Sequence, residues 1–191
     1  MRIFAGTARG RYVNAPAGAE LRPTTDKVRL AVFNAIGALV PDSIFLDLCC
    51  GSGSVGLEAL SRGAAKVIFI DSKQPCADAA KATAEAFGFE KERFEVWKAD
   101  IHRGLGNLAA RGVKLDLVYV DPPYEAGLNK PALQALVDLK VLADHDRVRV
   151  LLEHSSDLEA PQVPGLALYR QYKHGAATVS AYGREGETLA S

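Results

Sequence analysis

A short acidic and proline-rich segment carries the strongest chemical signal in the sequence. Asp121-Pro122-Pro123-Tyr124 directly follows the apolar run at residues 115–120. The prolines fix φ and have no N–H, so this backbone is stiff and its carbonyl oxygens are available as acceptors. A carboxylate, rigid carbonyls and a flat ring suit a planar group that carries an NH2, such as a nucleobase amine. The alternative is an ordinary proline-rich turn after a strand.

A glycine-rich segment at residues 47–56, Asp-Leu-Cys-Cys-Gly-Ser-Gly-Ser-Val-Gly, forms a second candidate site. Its glycines allow a sharp turn, a close approach to a ligand, and packing of the following helix on the sheet. Leu57-Glu58 stands where a phosphate-binding P-loop needs lysine and serine or threonine, and no serine has the glycines of a nucleophile elbow. The segment therefore predicts a dinucleotide or S-adenosylmethionine, contacted by Cys49, Gly51, Ser52 and Gly53.

Acidic residues close three further predicted strands and add to this cofactor site. Asp71 lies 20 residues after Gly51, where a carboxylate accepts from both hydroxyls of an adenosine ribose. Both cofactors contain that ribose. Asp47 can accept from the α-ammonium group, which only S-adenosylmethionine has, and Asp100 from the adenine amine. Each could instead be an N-cap or turn residue, Asp100 above all. Four acids at strand ends together favour S-adenosylmethionine.

The elements that must position these residues alternate between strand and helix. Predicted strands cover 44–48, 66–70, 94–98, 115–120 and 148–153, and predicted helices cover 53–61, 75–87, 102–111 and 130–140. This order is typical of an α/β fold with a mostly parallel sheet and helices on both faces. Residues 166–172 and 177–182 are predicted as a closing antiparallel pair, which gives seven strands. Before the sheet, residues 3–4 and 11–13 could form a hairpin, and a helix is predicted from Thr24 or Thr25 to about residue 38.

The domain organisation follows from this order of elements. We expect a basic N-terminal extension over residues 1–40, a cofactor-binding α/β domain over 41–184, and a tail over 185–191. The 191 residues are 48% hydrophobic and 24% charged, with no apolar run of membrane-spanning length. We expect no signal peptide and a cytoplasmic location. Three cysteines and four histidines show neither disulfide nor zinc spacing, so no metal is expected.

Charge is unevenly distributed although the net charge is zero. Residues 1–30 carry six basic against two acidic side chains, which leaves the remainder of the chain acidic. The basic residues proposed to contact nucleic acid are Arg2, Arg9, Arg11, Arg22 and Arg29. A basic arm of this kind would contact RNA phosphates, and a solvated basic face without a partner is the alternative.

Taken together, residues 47–56, Asp71, Asp100 and 121–124 resemble the class I S-adenosylmethionine-dependent methyltransferases that act on planar amines. The segment at residues 21–29, Leu-Arg-Pro-Thr-Thr-Asp-Lys-Val-Arg, resembles the RsmD family of bacterial 16S ribosomal RNA guanine-N2 methyltransferases more specifically, as do Phe33-Asn34 and residues 56–63. The resemblance covers about residues 2–183.

The resemblance implies a Rossmann-like class I methyltransferase fold, S-adenosylmethionine as cofactor, and the small ribosomal subunit as partner. A monomer is the default expectation for the oligomeric state. The resemblance also implies a catalytic role for Asp121, Pro122, Pro123 and Tyr124, with Tyr124 stacked on the guanine, and places Thr24 beside the RNA-binding arginines. Three positions depart from the family pattern: Cys49-Cys50 replaces an aromatic residue and alanine, Asp71 replaces a common glutamate, and Leu30 replaces an acidic residue.

Other functions remain open at this point. Adenine-N6 methylation of DNA and glutamine-N5 methylation of a protein use similar sites, although the former normally needs an added recognition domain and the latter usually has asparagine at the position of Asp121. An NAD-dependent oxidoreductase would leave residues 121–124 unexplained. A non-catalytic RNA-binding module that kept the fold is a further alternative.

Overall fold

The structure, a computed structural model, describes residues 1–14, 26–123 and 127–186. Seven strands form a single sheet in the order β3-β2-β1-β4-β5-β7-β6. The strands are β1 (Ile44–Leu48), β2 (Lys66–Asp71), β3 (Phe94–Lys98), β4 (Leu117–Val120), β5 (Arg149–Ser155), β6 (Leu166–His174) and β7 (Ala177–Arg184). Strands β1 to β5 are parallel, and β7 pairs antiparallel with both β5 and β6. The predicted mostly parallel sheet and closing hairpin are confirmed.

In these described ranges, five α-helices connect and cover the strands. They are α1 (Asp26–Ile36), α2 (Ser54–Ser61), α3 (Gln74–Ala86), α4 (Ile101–Ala110) and α5 (Asn129–Asp138). Gly63 and Gly88 follow α2 and α3 with φ of 98° and 76°. Glycine enters this left-handed region without a steric cost, which is why both residues mark helix ends as expected. The helix expected to run to residue 38 is shorter, because a 3-10 turn at Gly37–Leu39 replaces its last turn.

Two hydrophobic clusters lie on opposite faces of the sheet. One contains Phe33 of α1, Leu57 of α2 and Ala80 of α3, packed on Phe45, Phe69 and Tyr119. The other contains Leu105 of α4 and Leu133 of α5, packed on Leu46, Ile68 and Val118. Burial on both faces explains why the central strands are almost continuously apolar in sequence. Helices therefore cover both faces, as the sequence predicted.

The N-terminal segment folds back against α2. Only an isolated antiparallel bridge, Arg2 with Tyr12, forms in place of the two predicted strands, so the predicted hairpin is smaller than expected. Glu58 is fully buried, and its carboxylate oxygens accept from the Phe4 and Ala5 amides at 2.8 and 3.1 Å. Ile3 and Val13 belong to the same core cluster as α1 and α2. The segment shares a core with the sheet, and the domain boundary at residue 40 stays a prediction.

None of the helices in the described ranges combines the length and apolar character that crossing a bilayer requires.

Strand bounds deviate little from the predicted ones. Strand β4 begins at Leu117 instead of residue 115, because Leu115 pairs with Leu142 in an isolated bridge outside the sheet. Strand β5 extends to Ser155, two residues beyond its predicted end.

Candidate active site

The glycine-rich loop between β1 and α2 has a tightly constrained backbone. Cys49, Gly51 and Gly53 have φ of 64°, 54° and 74°, in the left-handed region. The Cys49 and Cys50 amides both donate to the Ile70 carbonyl, at 2.8 and 3.1 Å, which ties the loop to the end of β2. Glycine at 51 and 53 allows this path. Cys49 adopts the same region without being glycine, a local strain of a kind that is common at functional sites.

Gly56 sets the distance between α2 and the sheet. A Cβ atom built on Gly56 would lie 2.3 Å from Cε1 of Phe69, on β2. No larger residue fits without moving the helix. The sequence interpretation that this glycine serves helix packing is consistent with this contact.

Asp47, in β1, is hydrogen-bonded to the end of the same loop. It is 1% exposed, and its Oδ2 accepts from the Gly56 amide at 2.8 Å. Burial raises the pKa of this carboxyl to about 7, an effect that the Gly56 hydrogen bond opposes and the Asp71 charge reinforces. Asp47 therefore positions the loop through the Gly56 amide. Its direct contact with an α-ammonium group stays a prediction.

Asp71 ends β2 and faces the loop. Its Oδ2 accepts from the Gly51 amide at 2.9 Å, and its Oδ1 accepts from the Lys73 amide at 2.8 Å. The Cys76 thiol is also hydrogen-bonded to this carboxylate. A carboxylate has about four acceptor positions, so at least one remains for a ribose hydroxyl. The residues present therefore fit S-adenosylmethionine at this point.

Two further predicted cofactor residues, Asp100 and Ser52, differ in exposure. Asp100 is the N-cap of α4, where its Oδ1 accepts from the Arg103 amide at 2.9 Å, and it is exposed. The N-cap alternative is thus confirmed, and its remaining acceptor capacity is still compatible with an adenine amine. Ser52 is buried, with its hydroxyl 3.8 Å from the Met1 sulfur. The start of the chain therefore lies against the cofactor loop.

Asp121 follows β4 beside this loop. Its amide donates to the Leu48 carbonyl at 3.1 Å, which extends the β1–β4 pairing by one residue. Pro122 is buried and Pro123 is exposed. Burial raises the pKa of the Cys49 thiol, and the charges of Asp71, Asp121 and Asp47 raise it further. Three of the four acids predicted at strand ends therefore lie close enough to Cys49 to influence its thiol. Tyr124 lies outside the described residues.

Glu153 is an acidic residue that sequence reasoning missed at this edge. It lies near the end of β5, is 5% exposed, and accepts a hydrogen bond from the Tyr119 hydroxyl of β4. Its signal was present, because Glu153 ends the apolar run at residues 150–152 as Asp121 ends the preceding run. A buried pair thus links the ends of β4 and β5 next to Asp121.

The predicted RNA-binding arginines are corrected in part. Arg29 is fully buried, where it pairs with Asp26 at 2.9 Å and donates to the Arg2 carbonyl. A guanidinium in that position cannot reach a phosphate, so this prediction is wrong for the described conformation. Arg11 is exposed but donates to the Ala86 carbonyl at 2.7 Å, at the end of α3.

Arg2 and Arg9 are exposed as expected, whereas Arg22 and Thr24 lie outside the described residues. Arg9 lies in the turn at residues 6–10, where the Thr7 amide donates to the Ser61 carbonyl at 2.9 Å. Ser61 is the last residue of α2, about 12 Å along the helix axis from its start at the cofactor loop. This turn therefore lies near the amino ends of the parallel strands, whereas Asp121 lies at their carboxyl ends.

A cavity of about 610 Å³ also opens near the amino ends of the parallel strands. Its lining includes Lys114, Lys140, Gly165 and Arg184, which lie at the amino ends of β4 and β6 or at the carboxyl ends of α5 and β7. None of the predicted site residues within the described ranges lines it. In parallel α/β sheets, ligands bind at the carboxyl ends of the strands, so we place the active site at that edge.

The sheet order and the acid-lined loop at its carboxyl edge define a class I methyltransferase fold. Comparison with known proteins then identifies the family. Residues 1–183 match the family model described as Conserved hypothetical protein 95, and the chain belongs to this family. Its resemblance to the RsmD family is confirmed.

Individual relatives match over almost their whole length. The chain is 34% identical to YlbH of Bacillus subtilis, covering 97% of this chain and 100% of that protein. It is 33% identical to Ribosomal RNA small subunit methyltransferase D of Escherichia coli, covering 98% and 91%. The solved structure of yhhF from Escherichia coli is 32% identical, with a TM-score of 0.83 over 98% of this chain and 99% of that one.

Proposed function

We propose that this protein transfers a methyl group from S-adenosylmethionine to the exocyclic N2 amine of a guanine in 16S ribosomal RNA. The observation that carries the proposal is that Asp47 and Asp71 accept from amides of the glycine-rich loop, while the Asp121 amide donates to the Leu48 carbonyl at the end of β1. This supports a methyl-donor site and a methyl-acceptor site at the same edge of the sheet. The relatives named Ribosomal RNA small subunit methyltransferase D support the substrate.

S-adenosylmethionine, when bound, supplies a methyl group that is already electrophilic. The chain's task on this side is to hold the cofactor in one orientation. Asp71 would accept from the ribose hydroxyls and Asp100 from the adenine amine, while Gly51 and Gly53 allow close approach of the backbone. Asp47 fixes the loop through the Gly56 amide.

The acceptor side must improve a poor nucleophile. The lone pair of guanine N2 is delocalised into the ring, so alignment and a more pyramidal nitrogen are what the protein can provide. Asp121 and the Pro122 carbonyl would accept from the two N2 hydrogens and orient the amine. Tyr124 would stack on the base. Pro123 would keep the loop rigid.

Proton transfer follows methyl transfer in this scheme. An ordinary carboxylate is far too weak a base to deprotonate a neutral aryl amine. After transfer the nitrogen is cationic and acidic, so a carboxylate or water then accepts its proton. Asp121 is therefore an orienting acceptor first and a proton acceptor second.

The substrate must present an unpaired or extruded guanine, because N2 is engaged inside a base pair. Arg2, Arg9, Arg22 and Thr24 remain candidates for RNA contacts, and we propose that the protein acts in the cytoplasm as a monomer. Deletion of residues 1–20 is the simplest test of a basic arm. That deletion would also remove residues 3 and 13 from the core and leave Glu58 buried without its amide donors, so single substitutions are needed instead.

The experiment is methyl transfer from labelled cofactor into small-subunit RNA, supplied both naked and as assembled subunits, followed by mass spectrometry of the nucleosides. The expected product is N2-methylguanosine, with little product from Asp121→Ala at equal protein concentration. N6-methyladenosine, methylated glutamine in a ribosomal protein, or no transfer to any of these would contradict the proposal. The last result would favour a non-catalytic RNA-binding module.

A further inference from the structure

Strand β6 is the open edge of the sheet and carries a basic and aromatic sequence. Residues 169–174 read Tyr-Arg-Gln-Tyr-Lys-His, and Arg170, Gln171 and Lys173 are exposed. The Arg170 guanidinium lies 5.7 Å from the centroid of the Tyr172 ring. We call residues 170–174 the β6 strip. Its neighbourhood is unusual in composition, because residues 160–184 contain three lysine or arginine residues and neither Asp nor Glu.

The strand register brings the β6 strip level with the active site. Val120 of β4 pairs with Leu152, Leu152 pairs with Ser180, and Ser180 pairs with Gln171 of β6. The residue before Asp121 therefore shares a row of the sheet with the middle of the strip. Three strand spacings of about 4.8 Å separate β4 from β6, so the strip lies about 14 Å from the Asp121 backbone.

Three basic residues of the N-terminal segment have no such placement, whereas the exposed Arg2 follows Met1 beside the cofactor loop. Arg29 is buried and Arg11 caps α3, while Arg9 lies near the amino ends of the parallel strands. Among the described residues, no ion pair involves Arg170 or Lys173. Arg170 and Lys173 are thus two further exposed cations level with the proposed acceptor site, in a part of the chain that the predicted basic arm did not include.

We propose that the β6 strip is a docking surface for the phosphate backbone of the RNA that flanks the target guanine. This inference rests on the proposed function. The occupant is argued from charge, because phosphates complement Arg170 and Lys173, and from the strand edge, where outward N–H groups can also donate to phosphate oxygens. Tyr172 orients the Arg170 guanidinium from one side, and its ring supports the cation without competing for its donors.

Charged residues on an edge strand have a simpler explanation that the experiment must separate. Lysine and arginine at a sheet edge prevent strands of different molecules from pairing. That role requires no RNA, and losing it would promote self-association. RNA affinity and oligomeric state must therefore be measured on the same variants.

The test compares R170A/K173A with K81A/K91A, which removes two exposed cations from the other end of the sheet. Binding of a full small-subunit RNA transcript is measured by filter retention across a series of salt concentrations. Each lost phosphate contact should reduce the salt slope by about 0.7 and the affinity at 0.1 M salt by roughly fivefold. R170A/K173A should therefore bind about 10- to 25-fold more weakly with a slope about 1.4 smaller, while K81A/K91A should match the wild type.

Equal RNA affinity and salt slope for R170A/K173A and the wild type would overturn the assignment, and self-association of that variant would then support edge protection alone. A wild type that retains no RNA would overturn it too. Failure of the proposed function is a separate result. It would appear as a wild type that binds RNA through the strip but transfers no methyl group.

Discussion

Two halves of the sheet's carboxyl edge are built differently. The half proposed to bind the methyl donor, called the donor half, lies at the ends of β1 and β2. The half proposed to bind the methyl-accepting guanine, called the acceptor half, lies at the ends of β4 and β5. On the donor side, Asp47 and Asp71 already accept hydrogen bonds from amides of the loop. On the acceptor side, the chain follows Asp121 with two prolines, which donate no amide hydrogen. The donor half is therefore preorganised by its own backbone, whereas the acceptor half offers rigid acceptor groups to a base.

This difference explains which parts of the site could be predicted from sequence. The glycines were informative because the loop conformation needs them at Gly51 and Gly53, and because Gly56 touches Phe69. The bounds of strands could be predicted from apolar runs, and the ends of helices from the glycines that follow them.

The fate of individual charged residues could not be predicted in the same way. Whether an arginine such as Arg29 is buried or exposed depends on tertiary packing by α1 and the N-terminal segment, which no local pattern encodes. The pairing that brings the β6 strip level with Asp121 likewise depends on β7 inserting between β5 and β6. The burial of Asp47 under the loop is likewise a tertiary effect, and its expected ligand contact stays a prediction.

The donor half should be broken most severely at Gly56. Gly56→Ala places a Cβ atom against Phe69, and overpacking of this kind costs about 1–3 kcal/mol of unfolding free energy. Cofactor affinity should fall with it, since the helix carries the loop. Gly106→Ala in α4 is the matched control, because a Cβ atom there would meet nothing within 4 Å and the change should stabilise by about 0.4–1 kcal/mol. Urea unfolding and calorimetric titration would measure both.

The acceptor half should be loosened by Tyr119→Phe. The change removes the hydroxyl that donates to Glu153 and should cost about 1–2 kcal/mol of stability. Turnover should fall while cofactor affinity stays the same. Tyr182→Phe is the control, since it removes a hydroxyl bonded to the Pro161 carbonyl at 3.0 Å on the other face. If both variants lose turnover equally, the Tyr119–Glu153 pair has no specific role at the site.

A smaller, pH-dependent effect should identify the buried charge of the donor half. The pKa of Asp47 is raised by burial to about 7, so the folded protein binds more protons than the unfolded chain between about pH 4 and pH 7. Stability should therefore fall as pH rises through this range. Asp47→Asn should flatten that part of the melting-temperature profile and raise stability at pH 8. An unchanged profile would show that Asp47 is not protonated in the folded protein at neutral pH.

The division of one sheet edge into donor and acceptor halves is tested most directly by measuring cofactor affinity and turnover for Asp71→Asn and Asp121→Ala together. Asp71→Asn should weaken S-adenosylmethionine binding and retain most turnover at saturating cofactor. Asp121→Ala should leave the cofactor Kd within about twofold and lower kcat by about 10²–10³-fold. Parallel losses of affinity and turnover in both variants would contradict the division.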